Sequence, residues 1–189
     1  TGRAGAGQTR VGKDDLVELR LRLEPGHSII LRTFDQRPAH GEPWRWAHPA
    51  GEGSTLSGPW KVEFISGGPR LPQVWDTSEL KSWTGNGDPE TERFGGTAVY
   101  RTRFDRPEGQ GPWVLDLGEV RNSARVRLNG REMGVARMHP YWLEIPAGLL
   151  QPGGNQLEVE VTNLAANRIR DLDRRKVEWR TFRDINLVN

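Results

Sequence analysis

The sequence predicts an all-β protein: a β-sandwich preceded by strands of another β-domain. Two alternating runs carry that expectation. Ala124, Val126 and Leu128 alternate with Arg125, Arg127 and Asn129, and Leu157, Val159 and Val161 alternate with Glu158, Glu160 and Thr162. A period of two puts the apolar set on one face and the polar set on the other, as in a half-buried strand. Turn chemistry agrees. Asn129-Gly130 tolerates the positive φ of a type I′ hairpin, and Gly153-Gly154-Asn155 is a turn signal just before the second run. The content of 23 Gly and 13 Pro in 189 residues suits a protein with many turns.

Taken in order, residues 1–15 read as a loop. Residues 17–24 alternate as a strand, Pro25-Gly26 turns it, and residues 28–34 read as a second strand. A two-stranded ribbon is only marginally stable by itself, so residues 1–34 read as the tail of a preceding β-domain. Residues 35–57 read as a linker, dense in Pro and Gly and without periodicity. Trp44, Trp46 and His48 within it suit either a sugar face or anchorage onto a neighbouring domain, and anchorage is the commoner use. Residues 58–189 read as the sandwich, which is expected to be incomplete at its C-terminal end. Its first strand is 58–65, 71–83 is irregular with a helical turn over 78–83, 84–96 is a polar loop, and 100–104 is the next strand. Residues 165–175 read as a helical turn, and 177–188 as a return to the sheet. The run Ile185, Leu187 and Asn189 ends without a cap, so pairing with strands from outside the chain is expected there and over 16–34.

The charge balance excludes some functions. There are 27 Lys and Arg against 25 Asp and Glu, a formal net charge of +2, and a pI near 9.3. Four of the 27 cations are Lys, there are two Tyr and no Cys, so few groups titrate between neutrality and pH 10. The high pI therefore marks no basic patch. Arg and Glu are interspersed, and nucleic acid is not an expected partner. No apolar run approaches the ~20 residues of a membrane helix, so no membrane partner is expected. Without Cys there is no thiolate chemistry or disulfide.

The succession LDLGEV, ARVRLNG and NQLEVEVTN resembles the jelly-roll, galactose-binding-domain-like module of family 2 glycoside hydrolases. The ending AANRIRDLDRR…VEWRTFRDINLVN resembles the β-sandwich region of family 106 glycoside hydrolases, the α-L-rhamnosidase-like enzymes. The resemblance spans residues 58–189 and implies a jelly-roll fold. It also implies an accessory role beside a catalytic barrel, rhamnose-containing glycans as the substrate class, and a secreted or periplasmic location.

Candidate sites follow from residue chemistry. A glycosidase flanks the scissile bond with two carboxylates about 5–10 Å apart. The acids here lie mostly on alternating strand faces, so no catalytic residue is assigned and this chain alone is not expected to hydrolyse glycosides. No metal-hydrolase or serine-elbow motif is present. Sugar sites combine aromatic faces with a few convergent polar groups. The richest such stretch is 137–142, giving Arg137, His139, Tyr141 and Trp142 as the candidate carbohydrate-binding residues. The alternative is that Tyr141 and Trp142 pack at the sandwich rim or on a catalytic domain, and it carries more weight. Asn163, Asn167, Arg168, Asp171 and Asp173 form a second polar cluster. Calcium favours such oxygen donors, but no calcium-loop spacing is present, so a salt-bridge network involving Arg168 and Arg170 is the preferred reading and no cofactor is expected. The expected partners are a glycan and the catalytic domain or remaining segments of the same enzyme.

Overall fold

The computed structural model describes residues 4–23, 28–35, 41–44, 53–109 and 111–179. The chain divides into two units, residues 1–53 and 54–189. In the first, β1 (Thr9–Val11) and β2 (Val17–Leu19) pair antiparallel, with Arg10 opposite Glu18 and Val11 opposite Val17. Asp14 and Asp15 make the turn at positive φ, 64° and 58°, a conformation that short polar side chains accept better than branched ones. The stretch read as a loop thus supplies the partner strand for residues 17–19. Glu42 O accepts from Ala6 N at 2.8 Å, and Ala6 O accepts from Trp44 N at 2.7 Å, so residues 41–44 run beside the start of the chain.

Residues 28–34, read as a second strand, form no strand among the described residues, and Ile30 is 96% exposed. A β-favouring run such as Ile29, Ile30 and Leu31 does not make a strand when no apolar surface is there to receive it. Val11 and Val17 are likewise 72% and 68% exposed, and no described residue of this unit is buried.

The second unit is an all-β sandwich. Its main sheet has the order β4 (Trp75–Thr77), β3 (Trp60–Gly68), β5 (Gly95–Phe104), β10 (Asn155–Thr162), β7 (Ser123–Leu128) and β8 (Arg131–Ala136), antiparallel throughout. A two-stranded sheet, β6 (Trp113–Asp116) with β9 (Trp142–Ile145), supplies the other layer. The alternating runs fold as their pattern dictates. Ala124, Val126, Leu128, Leu157 and Val159 are buried, and Leu115, Leu143 and Ile145 of the smaller sheet pack against them. Asn129 and Gly130 link β7 to β8 at φ 51° and 78°, the two positive values that a type I′ turn needs. Gly154 turns the chain into β10 at φ 68°.

A second apolar cluster lies at the β3–β4 end of the sheet, built from Val62, Phe64, Trp83, Phe94 and Ala98. Here β3 and β5 approach closely at Gly67 and Gly96. A Cβ on Gly96 would sit 2.2 Å from the Ser66 carbonyl oxygen, so no larger residue fits without moving backbone. Two short helices flank this end. α1 (Pro89–Glu92) carries Asp88 as its N-cap, bonded to Glu90 N at 3.0 Å, and Pro89 at its first position. α2 (Ala166–Arg174) occupies the span read as a helical turn. The expected return of residues 177–188 to the sheet, and their pairing with outside strands, falls largely outside the described residues.

The opposite face of the main sheet is charged. Glu63 of β3, Arg101 of β5, Glu158 of β10 and Arg127 of β7 form a ladder, with contacts of 2.6, 2.9 and 2.9 Å. The register puts Glu158 directly opposite both Arg101 and Arg127. Burial works to raise the Glu158 pKa, but hydrogen bonds from Arg127 and Arg101 outweigh it and hold the carboxyl below its ordinary value of 4.5. A depressed folded-state pKa stabilises the fold at neutral pH, and that contribution is lost as pH falls through the folded value. The thermal midpoint should therefore drop on acidification below 4.5, and Glu158→Gln should flatten that part of a midpoint-versus-pH curve. A variant whose acid limb matches wild type would remove the ladder as a source of acid sensitivity. Leu128→Ala should cost roughly 2–5 kcal/mol in denaturant unfolding. A cost under ~1 kcal/mol would mean the side chain is not in the core.

Candidate functional site

The loop of residues 137–142 joins β8 to β9, so both sheets hold its ends. Arg137 and His139 are exposed and Trp142 is half-buried. Tyr141 is 8% exposed and belongs to the main core cluster. The phenol anchors the loop from below, as the rim-packing alternative anticipates. Its ring meets the His139 imidazole edge to face, with centroids 4.5 Å apart, and its carbonyl accepts from Leu117 N at 3.0 Å. That bond sets a second loop, 117–122, beside the first. Asp116 Oδ1 accepts from Gly118 N at 2.8 Å and shapes its turn. Glu119 of this loop lies 3.9 Å from His139 Nε2 and 3.6 Å from Arg121.

The rim therefore brings together Glu119, Arg121 and His139, with Arg137 exposed on the same connection and the half-buried Trp142 opening β9. Such polar groups can donate to and accept from sugar hydroxyls, and an indole offers an aromatic face. The rim contains no pair of carboxylates. Of the four candidate residues, Arg137, His139 and Trp142 present surface and Tyr141 presents support. Glu119 and Arg121 have no motif of their own in the sequence, and the Leu117–Tyr141 bond and the Glu119–His139 contact reveal them as neighbours of the loop.

The polar cluster at 163–173 is occupied by internal bonds. Asn163 donates to Phe94 O at 3.0 Å and accepts from Gly96 N at 2.7 Å, and Asn167 also donates to Phe94 O. Arg168 and Arg175 both bond the Asp171 carboxylate, at 2.8 and 3.4 Å. Arg170 turns instead to Glu92, with Arg174 alongside at 3.0 Å. Asp173 accepts from Trp179 Nε1 at 2.5 Å. These bonds tie α2 to the segment before β5. Among the described residues, no three His, Cys, Asp or Glu side chains gather as a metal would need, and no helix is long and apolar enough to cross a membrane.

A shallow surface depression with room for little more than a water molecule lies beside β4 and is lined by Trp75, Glu79, Lys81, Asn86 and Tyr100 among others. Phe64 packs on Trp75 with ring centroids 5.3 Å apart and meets Trp83 and Phe94 edge to face at 5.0 and 4.6 Å. Trp83 Nε1 donates to the Tyr100 hydroxyl at 2.5 Å. Burial pushes the Tyr100 pKa up, with the bond from Trp83 opposing it. The available sequence signal was Trp75 standing before a polar, Gly-rich loop.

No family model matches the chain. A 118-residue stretch is 36% identical to a protein of Formosa agariphila named as a "putative beta-glucuronidase", covering 60% of this chain and 10% of that protein. The solved structure of a rhamnosidase from Novosphingobium sp. PP1Y superposes with a TM-score of 0.54 at 31% identity, covering 65% of this chain and 12% of that one. The chain is related to segments of glycoside hydrolases. It spans about a tenth of the length of each of these two relatives.

An alanine scan of the 137–142 loop should separate support from surface. Tyr141→Ala should destabilise by roughly 3–5 kcal/mol, whereas Arg137→Ala should lie within about 0.5 kcal/mol of wild type. Equal effects in chemical denaturation would place both side chains in the same environment and undo this division.

Proposed function

We propose that residues 58–189 are a non-catalytic, carbohydrate-binding sandwich of a family 106-type glycoside hydrolase. Such an enzyme acts on rhamnose-containing glycans, and the location would be secreted or periplasmic. The observation that carries the reading is the rim itself: the β8–β9 segment combines exposed Arg137 and His139 with half-buried Trp142, and the His139 ring rests on the buried Tyr141. Related segments in a rhamnosidase and in a protein named for glucuronides support a glycan as the partner. The carboxylates support a non-catalytic role. Glu63 and Glu158 are held by arginines on the outer face, and Asp171 and Glu92 by arginines of α2. None of these is a proton donor or nucleophile poised in a cleft.

A second reading, a structural domain that docks on the catalytic barrel without glycan, has its own support. Leu71, Val74 and Leu80 are about half exposed near the β4 edge, and exposed apolar groups gathered at one place suit a protein contact.

Calorimetric titration of the chain with rhamnose-containing oligosaccharides tests the first reading. Binding should be saturable, and Trp142→Ala should weaken it by about tenfold or more, ~1.4 kcal/mol. No heat with any such glycan would favour the docking reading, and unchanged affinity in the variant would remove the rim loop from the site. The chain should also leave an aryl α-L-rhamnoside intact. Turnover that is lost on substituting one Asp or Glu of this chain would overturn the non-catalytic assignment.

A further inference from the structure

We propose that the glycan is read on the outer face of the small sheet where it meets the rim, with Trp142 as the platform and Asp116 as the residue that selects the sugar's hydroxyls. The proposal rests on the glycan-binding reading above and names the residue pair that does the recognising.

The β6–β9 register decides which side chains share that face. Trp113 lies opposite Ile145, Val114 opposite Glu144, Leu115 opposite Leu143 and Asp116 opposite Trp142. Side chains directly opposed in an antiparallel pair point to the same face, and successive ones alternate. Leu115, Leu143 and Ile145 pack on the main core cluster. Val114, Asp116, Trp142 and Glu144 therefore point away from it. Trp142 belongs to neither apolar cluster, so core packing does not account for an indole at this position. Val114, its diagonal neighbour, is half-buried and within the reach of an aromatic side chain.

Asp116 is the group beside the indole that can read a sugar. Directly opposed positions have Cβ atoms about 4.5–5.5 Å apart, so a ring laid on the indole carries its edge hydroxyls past the carboxylate. Asp116 is exposed. Its Oδ1 accepts from Gly118 N at 2.8 Å, which fixes the side chain. Its Oδ2 makes no hydrogen bond or ion pair among the described residues, and an ionised carboxylate only accepts. Sugar hydroxyls donate, so an acceptor beside an aromatic face matches a ring with an apolar C–H side and a hydroxyl-bearing edge. The backbone around the pair is set in advance. Leu117 N donates to Tyr141 O at 3.0 Å, and Trp142 N to Pro140 O at 2.8 Å. Such preorganisation lowers the cost of ordering on binding.

The same pair excludes a wholly apolar partner, which would bury the carboxylate unpaired. A cationic side chain can engage both groups and is the competing occupant. The face argues against it: two strands of four residues each fall well short of the ~800 Å² per partner of a standard protein interface.

The test is a proton–nitrogen correlation titration of the full chain with the rhamnose-containing oligosaccharides of the calorimetric titration and, in parallel, with argininamide. Trp142→Phe assigns the indole signal. An oligosaccharide should shift the Trp142 indole and the amides of Leu117 and Gly118 saturably. Asp116→Asn keeps an oxygen for Gly118 N and the size of the side chain, and should weaken that response about tenfold. An unaltered thermal midpoint checks that the variant is folded. A Trp142 response of unchanged affinity in Asp116→Asn would overturn the role of Asp116 and leave the glycan reading standing. Shifts confined to residues 119–121 and 137–139, with the indole unmoved, would overturn the platform and leave a glycan-binding loop. A Trp142 response to argininamide and to no oligosaccharide would mark a seat for a basic protein segment and overturn the sugar site. No response to any oligosaccharide at any position would overturn both this proposal and the reading beneath it.

Discussion

The sandwich depends on one buried amide. Asn155 is fully buried at the start of β10, and all of its hydrogen-bonding capacity is engaged by the surrounding chain. Its Nδ2 donates to Gln151 O at 2.8 Å and Phe104 O at 3.3 Å. Its Oδ1 accepts from Gln151 N at 2.8 Å and Asn129 Nδ2 at 3.0 Å. Asn129 in turn donates to Leu149 O and accepts from Gln156 N, both at 2.8 Å. Two asparagines thus join the end of β5, the β7–β8 turn and the loop entering β10. Leaving such buried groups unpaired costs about 1–3 kcal/mol each.

The position of this lock gives it leverage. β10 lies between β5 and β7, and a one-residue slip of a strand exchanges its two faces. Pinning Asn155 sets Leu157 and Val159 inward and Glu158 outward. The core and the charge ladder are therefore two consequences of one register. The ladder gains little as isolated surface pairs, but it matches charges across four strands at the centre of the outer face.

The strands with strong alternation, β7 and β10, were legible because tertiary context agrees with their pattern, and so was the Asn129-Gly130 turn. Residues 28–34 are also rich in β-favouring residues but form no strand among the described residues, because composition does not say whether a partner exists. α1 was hidden in a polar loop, although Asp88 and Pro89 spell a helix start. The rim loop was legible as a cluster, but the division between buried Tyr141 and half-buried Trp142 was not. That division comes from the β8–β9 connection, which the local sequence does not encode. The β4 depression is assembled from residues 25 positions apart at its extremes, Trp75 and Tyr100, so no local motif announces it.

In this reading a register-locked sheet carries recognition on its rim loops. Hydrogen exchange of the whole chain, with and without a saturating rhamnose-containing oligosaccharide, measures this most directly. The expected result is slowest exchange in β5, β7 and β10 without ligand, with added protection on binding confined to residues 117–122 and 137–142. Added protection centred on Lys61, Arg101, Arg103, Arg125 and Glu158 of the outer sheet face would contradict it.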